Sequence, residues 1–161
     1  LILAVPKLGV LLMIAKLALS ALCYTLTIAL SLSCTDARAK SEVVQEHEKF
    51  SVKAFIDASS FKQGKATTYT LTMHPKPGYK IKVETPFKAA LSSDKEALFT
   101  PSSFTNKDFI DPETPNKSIS SLLTPKIKGI HKIKADVTLF VCNEQLCERF
   151  KSAPVLEVTA Y

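Results

Sequence analysis

The chain contains no tryptophan, and only three of its four glycines follow residue 39. So few glycines exclude collagen-like and glycine-linker classes. Neither glycine-rich nucleotide fingerprint occurs, which excludes Rossmann and P-loop enzymes. Beyond Thr35 no apolar run is long enough to span a bilayer. Arginine is equally scarce, since of the 18 Lys and Arg in residues 40–161 only Arg149 is arginine. The lysines are scattered rather than clustered, and bidentate phosphate recognition favours arginine, so no nucleic-acid partner is expected.

What is present falls into two unlike parts. From Leu1 to Ser33 the only charges are Lys7 and Lys16, and Leu17–Thr35 is an uncharged run of 19 residues followed by Ala37-Arg38-Ala39. A positive end, an apolar middle and a small-residue A-x-A site predict a secretory signal peptide over residues 1–39, cleaved after Ala39. The true start is expected at Met13. Two rivals remain. Nineteen residues rising about 1.5 Å each could serve as an uncleaved membrane anchor, although Ser20, Thr25, Thr27, Ser31 and Ser33 dilute the run. Leu30-Ser31-Leu32-Ser33-Cys34 is similar to a bacterial lipobox, with Ser31 where Leu is usual, which would put a lipid on Cys34. All three readings place the remaining domain outside the cytoplasm, periplasmic or secreted.

Residues 40–161 form the second part, with 14 Asp and Glu against the 18 basic residues. Its apolar residues alternate with period two and show almost no helical period. Phe50, Val52, Ala54 and Ile56 make one row. Tyr69, Leu71 and Met73 make another, opposite Thr68, Thr70 and Thr72. After a turn at His74–Gly78, Tyr79, Ile81 and Val83 predict a third strand ending at Pro86. Phe87, Ala89 and Leu91 continue the pattern, and Ala97–Phe99 is a further short strand. Pro101–Pro125, with four prolines among Ser, Thr and Asn, reads as a long loop with one short strand at Phe109-Ile110. Ile133, Ala135, Val137, Leu139 and Val141 form the clearest strand, and Val155–Ala160 the last. About seven antiparallel strands with turn signals between them predict an all-β, immunoglobulin-like sandwich in one domain.

Cys142 and Cys147 are the only cysteines of this domain. They flank Asn143-Glu144-Gln145-Leu146 where a hairpin brings two arms together, and facing cysteines there can reach the separation a disulfide needs. In an oxidising compartment such an isolated pair should be able to bond. Two uses are open. One is a clip, although closing so short a loop gives only about 2 kcal/mol against about 4.7 for a 100-residue loop. The other is exchange, because a disulfide at an exposed strand end is reachable by a thiolate. Arg149 and Lys151 would favour thiolate, and Glu144 and Glu148 oppose them.

Val137-Thr-Leu-Phe-Val-Cys-Asn-Glu-Gln-Leu-Cys147, followed by a closing strand, resembles the amino-terminal periplasmic domain of the thiol:disulfide interchange protein DsbD and its stand-alone relatives. Pro77-Gly-Tyr-Lys-Ile-Lys-Val-Glu-Thr-Pro-Phe87 is similar to the strand that leads to a proline in that family. The resemblance spans nearly all of residues 40–161. It implies an immunoglobulin-like fold whose pair, Cys142 and Cys147, takes electrons from a membrane donor and passes them to thioredoxin-like periplasmic proteins. The chain departs from the family in having four residues between the cysteines where the best-known members have five. It also has Glu148-Arg149 where prolines often follow, and no clear aromatic cap. The alternative from a different class is a non-catalytic immunoglobulin-like binding or structural module with a hairpin-clipping disulfide.

Other chemistry has little support. His47, His74 and His131 lie far apart in polar contexts and read as solvated. No CxxC or HxxxH spacing accompanies the cysteines, so no metal is expected. Asp108, Asp111 and Glu113 lack EF-hand spacing, no GxSxG elbow suggests a hydrolase, and no cofactor is expected.

Overall fold

In the computed structural model the described residues are 40–161, and they form two five-stranded antiparallel sheets packed as a sandwich. The signal peptide, Met13 and the Cys34 lipid site lie outside the described residues. The first sheet has the order β1-β2-β3-β7-β5, from β1 (Lys40–Glu46), β2 (Phe50–Asp57), β3 (Thr67–Pro75), β7 (Lys117–Pro125) and β5 (Ala97–Thr100). The second has β8 (Gly129–Cys142) at its centre, with β4 (Lys88–Ser93) and then β6 (Ser103–Thr105) on one side. On the other side β10 (Val155–Ala160) pairs with the first half of β8 and β9 (Cys147–Ser152) with the second half. Among the described residues the only helical elements are two three-residue 3-10 turns.

Period-two alternation explains the core. Each strand sends every second side chain inward, and Val52, Ile56, Leu71 and Met73 of one sheet share a buried cluster with Leu91, Ile133, Leu139 and Leu156 of the other. Each such side chain contributes on the order of 2 kcal/mol when fully buried, so removing one from the centre of a strand is costly.

Three local expectations are corrected. Tyr79, Ile81 and Val83 are not in a strand; the 79–87 segment is a loop whose backbone pairs with the sheet only at an isolated Lys80↔Cys142 bridge. The register of β4 on β8 places Lys88 opposite Thr138, so the next residue facing Phe140 would be Pro86, which has no N–H to donate. Burial still followed the pattern there, since Ile81 and Phe87 are buried and Tyr79 and Val83 are partly so. Pro101–Pro125 is not a loop throughout, because β6 and the nine-residue β7 occupy much of it, while Phe109-Ile110 forms no strand. β7 was concealed because its inward row is Lys117, Ile119, Ser121, Leu123 and Pro125. Ser121 is satisfied by donating to the Pro101 carbonyl at 2.7 Å, and Lys117 Nζ by the Pro112 carbonyl at 2.6 Å and by that of Thr114.

The third correction is His131, which is buried, not solvated. Its Nε2 donates to the Ile127 carbonyl at 2.8 Å, which fixes the tautomer because a carbonyl only accepts. The ring edge meets Phe61, with centroids 5.4 Å apart.

Candidate functional site

β8 and β9 form a hairpin in which Cys142 lies directly opposite Cys147, and the two are joined by a disulfide. Their Cα atoms are 3.9 Å apart, and because the N–H and C=O of Cys142 both bond to Lys80 the two cysteines form a non-hydrogen-bonded pair of the β8–β9 ladder. The turn is organised by Asn143. Its N–H donates to the Leu146 carbonyl at 2.9 Å, and its Oδ1 accepts from the N–H groups of Gln145 at 2.9 Å and Leu146 at 2.8 Å. The hairpin therefore has its own closure, independent of sulfur.

Alternation along β8 decides which side the disulfide occupies. Val137, Leu139 and Val141 point into the core, so Thr138, Phe140 and Cys142 belong to the outer face of the second sheet. The disulfide thus does not bridge the two sheets. Although it shares that face, Cys142 has 0% exposure while Cys147 is exposed. The cause is the 79–87 loop. Lys80 and Cys142 exchange both backbone hydrogen bonds at 2.8 Å, so Cys142 is flanked by Lys80 on one side and by Cys147 on the other.

Tyr79 is delivered to this place by a tight turn. Its N–H donates to the Lys76 carbonyl at 3.0 Å, with Pro77 second and Gly78 third at φ +85°, the sequence a type II turn requires. Behind the disulfide, on the inner side of β9, Glu148 pairs with Lys49. Lys49 Nζ lies 5.7 Å from the centroid of the Tyr79 ring and 5.6 Å from that of Phe150. The hydrogen bond and charge of Glu148 raise the Lys49 pKa against an opposing desolvation. Phe150 packs edge-on against Phe50, which stacks on His47 at 4.3 Å. The loop-borne Tyr79 and Lys80 and the Lys49–Glu148 pair were missed by sequence reasoning as neighbours of the cysteines. Only the Pro-Gly turn before Tyr79 signalled a fixed position for that loop.

The remaining sequence candidates do not converge. Asp108 Oδ2 accepts from the N–H and hydroxyl of Thr105, at 2.7 and 3.0 Å, and Asp111 Oδ1 accepts from the Glu113 N–H at 3.3 Å. Both are local turn contacts. Among the described residues no group of three or more His, Cys, Asp or Glu could hold a metal ion, and no helix is long and apolar enough to cross a membrane. Comparison with protein-family models, with curated proteins and with solved structures finds no match.

Proposed function

We propose that the protein is a thiol:disulfide exchange module acting through Cys142 and Cys147 in an oxidising compartment outside the cytoplasm. The observation that carries this reading is the unequal exposure of the two sulfur-bearing residues, one open at a strand end and one fully covered. A disulfide serving as a staple would gain nothing from it, and this hairpin is already closed by Asn143. Crosslinking so short a loop also gives only about 2 kcal/mol.

The exposure assigns the roles. A donor thiolate attacks Sγ of Cys147, the Cys142–Cys147 bond breaks, and Cys142 leaves as a thiolate that takes up a proton. The donor's second thiol, as thiolate, then attacks the donor sulfur of the mixed disulfide and releases Cys147, leaving the donor oxidised and the pair reduced. In the opposite direction the Cys147 thiolate attacks a target disulfide and Cys142 resolves it. The partners on this reading are a membrane electron donor and thioredoxin-like proteins, as in the family the sequence resembles.

Trapping tests it. Cys142→Ala leaves the exposed thiol without its resolving partner, and mass spectrometry should find stable mixed disulfides at Cys147 after incubation with an oxidised thioredoxin-like protein. Cys147→Ser should trap none. Absence of adducts in the first variant would overturn exchange and leave a binding module with a clipped hairpin.

A further inference from the structure

We propose that the outer face of the second sheet beside the disulfide is a docking surface for an acidic, extended segment of a protein partner. This rests on the exchange reading for its biological use, and on the charge distribution of the face for its chemistry. Lys88, Thr138 and Lys151 form one row across β4, β8 and β9, with Phe140 and Arg149 paired in the next. The following row is the disulfide. Strand spacing puts the three cationic residues within about 12 Å of one another.

Charge on this sheet face is divided in two. Toward the far end the lysines are matched within the molecule, Lys132 to Glu157 at 3.2 Å and Lys134 to Asp136 at 2.7 Å. Near the disulfide, Lys88, Arg149 and Lys151 are exposed, and among the described residues none of the three has an ion-pair partner. Asp136 sits one row away but is held by Lys134. Glu148, which the sequence sets beside Arg149, faces the other side of β9 and is taken by Lys49. Glu144 at the turn and Glu84 in the 79–87 loop are acids of the adjoining segments.

A hollow of about 260 Å³, lined by Pro86, Lys88, Thr138, Phe140 and Arg149, opens among these groups. Its apolar floor suits the stem of a partner chain, and the planar Arg149 guanidinium suits a carboxylate held bidentately. The spacing specifies the ligand further. Arg149 and Lys151 follow Cys147 by two and four residues on one strand face, about 7 and 14 Å away. An extended partner strand laid alongside would place carboxylates two and four residues from its own reacting cysteine.

The test uses the full chain and two peptides carrying serine at the reacting position, one with aspartates two and four residues away and one with asparagines there. By NMR titration the acidic peptide should shift amides at 86–88, 138–140 and 149–151, and bind about tenfold more tightly at low salt. Raising the ionic strength should erase the difference, since these charges are exposed. So should Lys88→Ser with Arg149→Ser and Lys151→Ser, whereas Lys132→Ser with Lys134→Ser on the same face should leave it intact. Equal affinity for the two peptides, an advantage surviving the triple substitution, or tighter binding of a short RNA than of the acidic peptide would overturn the proposal. Cysteine versions of the peptides separate the two readings. Binding without a mixed disulfide sinks exchange alone, and a mixed disulfide formed equally with both peptides sinks the acidic surface alone.

Discussion

The main chain of Cys142 is held by Lys80 through two hydrogen bonds of 2.8 Å, while its sulfur is bonded to Cys147 on the opposite side. The covered state of one sulfur therefore depends on a loop some sixty residues earlier in the chain.

Lys80→Pro tests that dependence, because it deletes the N–H that donates to the Cys142 carbonyl. The loop should lift from β8 at a local cost on the order of 1–3 kcal/mol. Hydrogen exchange at the Cys142 amide should speed up by at least tenfold while the β2 and β3 amides keep their protection. Unchanged exchange at Cys142 would mean that the bridge does not hold the loop.

Removing the crosslink should leave the sandwich folded. Because Cys142 is buried, Cys142→Ala with Cys147→Ser avoids burying a new hydroxyl and isolates the loop-entropy term, about 2 kcal/mol. Urea denaturation should show one cooperative transition displaced by that amount, and failure to fold would assign the disulfide a structural role.

Lys49→Met replaces the ammonium that Glu148 holds behind the disulfide. In the folded protein the Lys49 pKa is raised above 10.5, so folding favours the protonated form. That contribution is fully present below about pH 10.5 and is lost as the pH rises through the folded pKa. The difference in unfolding midpoint between wild type and variant should be constant from neutral pH to pH 9 and shrink above the lysine range. A difference that persists undiminished at high pH would show that packing of the lysine stem, not its charge, is responsible.

Tyr69 is buried with no hydrogen-bond partner for its hydroxyl among the described residues, and desolvation pushes the phenol pKa well above its usual 10.0. As the pH rises past 10, unfolding releases a proton that the folded state retains, so stability falls. Tyr69→Phe should move alkaline unfolding to higher pH, and should be neutral or stabilising by up to about 1 kcal/mol at neutral pH because an unsatisfied hydroxyl is removed. Phenolate absorbance in the folded state should match wild type. A loss of stability at neutral pH would reveal a hydrogen bond to that hydroxyl.

How much of this could be read from the chain alone follows from the range of each signal. Period-two alternation is local, and it was enough for β2, β3, β4, β5, β8 and β10 and for the sandwich class, because a half-buried strand must alternate whatever it pairs with. The hairpin at Asn143–Leu146 was equally legible, since its turn chemistry and both cysteines lie within six residues. β1 was not legible. An edge strand buries little, and Lys-Ser-Glu-Val-Val-Gln-Glu holds its place by pairing with β2 and by the Glu42–Lys53 ion pair at 2.8 Å. β7 was hidden because partners far away in sequence satisfy its inward Ser121 and Lys117. The two cysteines are equivalent in the sequence. Only the tertiary structure made them unequal, by setting the pair on the outer face of a sheet and bringing Lys80 against one of them, and hydrogen bonds between segments that distant leave no periodic trace in the chain.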